Sequence, residues 1–181
     1  GALLATWSDR DLGLAGRVFR KGLDGRPASH LLRIDRPIAR IPNLAIHLNR
    51  GVNDEGLKLH PQKHLAPMVA SAAQTPDFAA WLGEQLGGEG PVLSWDLCLF
   101  DVTSPAVGGL ADEFVFAARL DNQASCHASL TALVEAPAAA ATQVVVLFDH
   151  EEVGSRSAQG AMGAFLRDVL ARIEREHDES A

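Results

Sequence analysis

Apolar and polar positions along this chain fall into two regimes. Up to about residue 113 they alternate or break at turn residues; beyond it, apolar runs end in carboxylates and helical stripes follow. Val18 and Phe19 run into Lys21-Gly22-Leu23-Asp24-Gly25, with Leu31, Leu32 and Ile34 beyond. An Asp-Gly pair so placed predicts a β-hairpin. Pro37 and Pro42 bracket an edge or connecting segment. Leu44, Ile46 and Leu48 alternate with Ala45 and His47, which is strand period and turns His47 away from the leucine face. Thr75-Pro76-Asp77 offers a helix cap and a proline suited to the first helical position; Phe78, Trp81 and Leu82 share a face, and Gly87-Gly88 ends that helix. Leu93, Trp95, Leu97 and Leu99 alternate with Ser94, Asp96, Cys98 and Phe100, predicting a strand with one buried face and Cys98 as a half-buried thiol.

In the second regime, residues 114–120 predict a strand that stops at Asp121-Asn122. Cys126, Leu130, Leu133 and Val134 then form one helical stripe, which Pro137 ends. Residues 144–148, apolar throughout and rich in valine, predict a strand buried on both faces. Phe165, Leu166, Val169, Leu170 and Ile173 predict a last amphipathic helix that runs out into an acidic, solvated tail. Strand, helix, strand and helix in this order predict a right-handed parallel unit. The expected fold is α/β with a β-rich part, divided into residues 1–113 and 114–181.

Candidate chemistry gathers at two strand ends. Open α/β sheets bind ligands at the carboxyl edge of their strands. Glu151 and Glu152 follow the 144–148 run and repel each other unless a cation lies between them or one holds a proton; an acidic, solvated loop is the plainer alternative. Asp121 or Asn122 at the other strand end can equally cap the following helix. His60 and His64 stand four apart, the spacing of a metal pair on a helix, but Pro61 lies between them and favours loop histidines.

Composition narrows the partners. A net charge of −7 argues against nucleic acid and against an anionic membrane, and 47% hydrophobic content is ample for a core. No apolar run approaches the roughly 20 residues that span a bilayer. Cys98 and Cys126 form no Cys-x-x-Cys motif and fit a reducing, cytoplasmic setting. His150-Glu151 lacks the second histidine of a His-Glu-x-x-His protease, and there is no Gly-x-Ser-x-Gly elbow or Walker-type phosphate loop.

Four ordered motifs cover nearly the whole chain. They are Trp7-Ser8-Asp9-Arg10-Asp11-Leu12 with Leu14-Ala15-Gly16-Arg17-Val18; Arg40-Ile41-Pro42-Asn43-Leu44-Ala45-Ile46-His47-Leu48; Glu113-Phe114 through Arg119-Leu120-Asp121-Asn122; and Asp149-His150-Glu151-Glu152-Val153-Gly154-Ser155. In these the chain resembles the aspartyl aminopeptidases, which are two-zinc exopeptidases. The resemblance implies a β-barrel-like lid and dimerisation domain followed by the start of an α/β zinc-peptidase domain. It implies that Asp121 bridges two metal ions about 3.5–4 Å apart, that Glu152 is a metal ligand, and that Glu151 is the general base. His47 would come from a neighbouring subunit and stabilise the tetrahedral intermediate. The cofactor implied is Zn2+, two per complete site, with Mn2+ or Co2+ as alternatives. Peptides losing an N-terminal, preferably acidic, residue are the implied substrates, and the implied assembly is a homo-oligomer of dimers, up to a dodecamer. The match is incomplete. The upstream His-Thr-Asp motif and the downstream Asp and His ligands of that family are absent, and Ser8 stands where relatives usually carry Phe. With a first residue that is Gly rather than Met, this implies an internal segment of a longer enzyme, inactive by itself. A non-catalytic, truncated paralogue acting as a dimerisation or interaction module is the alternative.

Overall fold

The hairpin forms where the Asp-Gly pair placed it. In the computed structural model, which describes residues 3–71, 73, 77–88 and 90–178 (177 and 178 by backbone only), β1 (Leu12–Lys21) turns into β2 (Pro27–Ala39). The Gly22 N–H donates to the Arg26 carbonyl at 2.7 Å, the Asp24 carboxylate accepts the Arg26 N–H at 3.0 Å, and Gly25 takes φ +78°. That is a conformation glycine adopts without a Cβ penalty. The strands pair antiparallel from Lys21↔Pro27 to Leu14↔Ile34, then slip so that Leu12 faces Ala39. The ladder is irregular at this point, just before the Arg40 motif.

β3 (Val92–Asp101) pairs antiparallel with the other side of β1, giving the order β2-β1-β3. The central strand therefore carries the core. Leu14 and Val18 are buried with Leu32, Ile34 and Leu82, the last from α3 (Phe78–Leu86). Burying each such side chain contributes about 1.5–3 kcal/mol. The Phe78 ring stacks on Trp81 and meets Trp95 edge-on, centroids 5.6 and 5.4 Å apart. α3 is capped by Asp77, whose carboxylate accepts the Ala80 N–H at 3.0 Å; Thr75 and Pro76 lie outside the described residues. Its end is at Gly87, as the glycine pair predicts. A smaller cluster of Leu12, Ala39 and Ile41 sits under Trp7 and Leu65. β4 (Ala106–Gly108) and β5 (Phe114–Phe116) make a separate two-stranded ribbon.

Several expectations are corrected. The sheet does not close into a barrel: β2 and β3 are both edges, and three strands are too few to curl round and meet. Residues 46–48 form a 3-10 turn rather than a strand; no strand of the described residues lies alongside to take their backbone groups, and Leu44 and Leu48 are exposed. Cys98 is exposed, on the outward side of β3. Pro61 does not prevent a helical turn but begins one: α1 (Val52–Glu55) and α2 (Pro61–His64) are single turns, and proline suits the first position of α2.

The chain divides into a unit spanning Leu3–Phe116 and a second that comprises Ala117–Ala181. Among its described residues the second unit holds helices only, α4 (Leu120–Glu135) and α5 (Phe165–Asp178). The predicted 114–120 strand ends at Phe116, because Arg119 takes a left-handed φ of +60° and Leu120 is already helical. Residues 144–148 form no strand and Val144 and Leu147 are exposed. An apolar run becomes a strand only where a neighbour satisfies its N–H and C=O groups, and no described residue of this unit provides one. The parallel strand-helix-strand unit is therefore absent among the described residues. On α4 the stripe forms at the expected spacing, yet Leu130 and Val134 remain exposed. α5 carries its apolar stripe and continues helical to Asp178, through most of the predicted tail.

Candidate active site

Asp121 sits where α4 departs from regular geometry. Asp121 has φ −82° and ψ 114°, Asn122 has φ −109° and ψ 19°, and the peptide between them is cis. The regular helix starts only beyond this pair. Neither residue caps it: Asn122 Oδ1 accepts the Cys126 thiol at 3.4 Å, and the Asp121 carboxylate has no hydrogen-bond or ion-pair partner among the described residues. The N-cap alternative is thus overturned, and an exposed carboxylate is left with both oxygens available.

Glu151 and Glu152 lie in a loop that its own backbone shapes. His150 is left-handed, with φ +61°, and its N–H donates to the Asp149 carboxylate at 2.7 Å. The Glu151 carbonyl accepts the Gly154 N–H at 2.8 Å, and the His150 carbonyl accepts the Ser155 N–H at 2.9 Å. His150 Nδ1 lies 2.6 Å from the Ser157 hydroxyl, which makes this histidine a brace of the loop. Gly160 is buried against the turn, where a Cβ would collide with the Ser155 carbonyl oxygen. The loop conformation therefore does not draw on the Glu151 carboxylate, which is exposed and has no partner among the described residues.

His47 belongs to the Leu3–Phe116 unit and is exposed on the 46–48 turn. Two motif contacts hold the segment leading to it. The Asp9 carboxylate accepts the Asn43 N–H at 3.1 Å and its side-chain amide at 2.9 Å, while Asp11 pairs with Arg40 at 2.8 Å. Sequence reasoning assigned Asp9, Asp11, Arg40 and Asn43 no role. Asp9 and Asp11 stand in the first motif and Arg40 and Asn43 in the second, and that placement is the signal that could have singled them out.

The Asn43 N–H and then its amide hold the Asp9 carboxyl below its ordinary value; burial opposes them, and the Arg40 guanidinium adds a lesser lowering. A carboxyl depressed on folding adds stability above its unfolded pKa of about 3.9 and loses it as pH falls through the lower folded value. Wild type should therefore lose stability more steeply below about pH 4 than Asp9→Asn. Acid-unfolding curves with an NMR titration of the Asp9 carboxyl would show this; parallel curves would contradict the clamp.

Histidines 60 and 64 are not a ligand pair. The His60 Nδ1 accepts the Gln62 N–H at 3.2 Å, the His64 Nδ1 accepts the His60 N–H at 3.0 Å, and the rings are edge-on. Among the described residues no group of three or more His, Cys, Asp or Glu side chains could hold a metal ion. A catalytic zinc takes about three protein ligands and keeps an open position. Asp121 and Glu152 are suitable oxygen donors, but the described residues do not amount to a zinc centre.

Comparison with known proteins adds to this geometry. The family profile described as aminopeptidase I zinc metalloprotease (M18) matches residues 1–181. A probable M18 family aminopeptidase 2 of Ectopseudomonas mendocina is 49% identical over 187 residues, covering 99% of this chain and 43% of that protein. The solved structure of Chaetomium thermophilum mApe1 is similar with a TM-score of 0.74 and 36% identity, covering 96% of this chain and 43% of that one. The S. cerevisiae mApe1 dodecamer is similar with a TM-score of 0.65 and 27% identity, covering 95% of this chain and 40% of that one. The chain thus spans less than half the length of these relatives.

Proposed function

Because this chain belongs to the aminopeptidase I zinc metalloprotease (M18) family, we propose that it works as part of a metallo-aminopeptidase that removes N-terminal, preferentially acidic, residues from peptides. Residues 1–113 serve as lid and dimerisation domain, and residues 114–181 contribute to the catalytic domain. Asp121 and Glu152 would hold the metal, Asp121 as the ligand shared by a pair of zinc ions, for which Mn2+ or Co2+ could substitute, and the metal would supply a Lewis acid and an activated water. Glu151 takes up and returns the proton at its carboxylate, and His47, supplied to a neighbouring subunit, donates an N–H to the developing oxyanion. The assembly is a homo-oligomer of dimers, in keeping with the dodecamer described for a relative. No helix of the described residues is long and apolar enough to cross a membrane. The two free cysteines suit a cytoplasmic setting.

One observation supports the ligand reading most directly. Asp121 presents an unpartnered, exposed carboxylate at an irregular helix start, where a cap would otherwise be expected. In this reading the remaining ligands belong to the part of the relatives' length that this chain does not span, and the 181-residue chain alone is inactive. The alternative, a non-catalytic module that dimerises through the β-rich segment, draws on that segment's exposed Leu31 and Trp95. Metal analysis and hydrolysis of an aspartyl amide, measured on the chain and on a protein of the relatives' full length that contains it, separate the two. The longer protein should bind metal and turn over, and Asp121→Ala should strip the metal. A longer protein free of metal and activity, yet oligomeric, would leave only the interaction module.

A further inference from the structure

The Leu3–Phe116 unit contains a cavity of about 470 Å³, within the range of about 300–1,000 Å³ usual for small-molecule sites. One wall is the segment after Pro42, which the Asp9–Asn43 clamp holds in place; the other comes from the loop between α1 and α2 and from α2 itself. Leu44 and Leu57 supply apolar lining, and Lys58, Lys63 and His64 supply the positive or donating groups.

Charge balance here opposes that of the chain. Residues 40–64 carry Arg40, Arg50, Lys58 and Lys63 against Asp54 and Glu55, four cations less two carboxylates, or +2, in a chain of −7. Arg40 is paired with Asp11 and Lys58 with Glu55. Lys63 has no ion-pair partner among the described residues, although it lines the cavity. His64 spends Nδ1 as an acceptor, so its neutral ring carries the proton on Nε2 and offers a donor. One ammonium without an ion-pair partner and one donor in the same lining suit a monoanion. Phosphate, with its higher charge and three oxygens, is better matched by arginine forks or several cations. Apolar lining next to the side-chain carbonyl of Asn43, whose amide N–H is held by Asp9, and to Asn49 suits side chains and peptide groups together.

We propose that this cavity binds the carboxylate of a short apolar peptide, with Lys63 as its counter-charge. The carboxylate is either the peptide's C-terminus or an acidic side chain. Binding here needs no free amine and no metal, although Ile46 and Asn49 of the lining stand beside His47.

The test uses N-terminally blocked peptides, which an aminopeptidase cannot cleave. N-acetyl-Leu-Leu acid, N-acetyl-Leu-leucinamide and N-acetyl-Asp-leucinamide are titrated into the 181-residue chain at low salt and followed by amide NMR and calorimetry. The acid should shift the amides of Asn43, Lys63 and His64 and bind about tenfold more tightly than the leucinamide, the scale of one charge-assisted contact. Lys63→Met should bring the acid down to the level of the amide and leave the amide unchanged. If the aspartyl amide matches the acid, a side-chain carboxylate is accepted too; if it follows the neutral amide, the site reads the C-terminus. Equal binding of acid and amide by the wild-type chain, shifts confined to other residues, or no saturable binding would overturn the proposal without any appeal to how the variant folds.

Discussion

Glu151→Gln, made in a protein of the relatives' full length, should lower kcat for an aspartyl amide by about a hundredfold to ten-thousandfold, the usual range for removing a general base. Its metal content should stay as it was. Glutamine keeps the shape of the side chain and removes the group that accepts the proton. The surrounding turn should not notice, since it is built from backbone bonds of His150 and Glu151 and from the His150–Ser157 contact. A surface change without a partner costs within about 0.5 kcal/mol of stability. Glu152→Gln provides the contrast, with loss of metal and loss of turnover together. Steady-state kinetics with elemental analysis on both variants decide the assignment. If Glu151→Gln retains turnover within about threefold of wild type, far less than a missing base allows, the proton belongs to another residue.

How much of this was legible in the sequence depends on how local the cause was. The β1–β2 hairpin and the end of α3 follow from Asp24-Gly25 and Gly87-Gly88, where the determining chemistry lies within a few residues. β3 follows from its alternation and the partner strand beside it. The 44–48 segment shows the same alternation but has no neighbouring strand, and it coils into a 3-10 turn. Residues 144–148 fail for the same reason: a ladder needs a second strand, which hydrophobicity alone does not supply. At the candidate site, motif spacing singled out Asp121, Glu151 and Glu152, but whether Asp121 caps a helix was decided by backbone angles that no spacing encodes. The Asp9–Asn43 and Asp11–Arg40 contacts join residues 34 and 29 positions apart. Only the fold brings such pairs together.

Arg20 is the strongest case of a long-range determinant, and replacing it should lower the stability of the Leu3–Phe116 unit. It is buried, 7% exposed, and makes no ion pair among the described residues. Its guanidinium instead donates to the carbonyls at the end of α3: Nε to Gly90 at 3.0 Å, Nη2 to Gly88 at 3.1 Å and Gly90 at 2.7 Å, and Nη1 to Gly87. A cation at a helix C-terminus meets the negative end of the helix dipole, and the planar fork satisfies several carbonyls at once. The contact fixes α3 to β1 and leads the chain through Gly90, where a Cβ would collide with the Lys21 carbonyl oxygen, into the Lys21–Pro91 bond that opens β3. Arg20→Met keeps the packing stem and removes every one of these donors. Replacing a buried ion by an apolar side chain can be neutral when its partners leave with it, but here the glycine carbonyls stay behind. Hydrogen bonds to a charged group contribute about 1.5–3 kcal/mol, and water can re-solvate the exposed glycines, so the expected loss is about 2 kcal/mol. For a chain of this size that lowers Tm by roughly 4–8 °C. Arg20→Lys should recover about half, since an ammonium keeps the charge and loses the fork. Thermal and urea unfolding of the three proteins provide the comparison. A Met variant as stable as wild type would mean that the α3 terminus is held by its own left-handed glycines and by Leu82 in the core, with no contribution from Arg20.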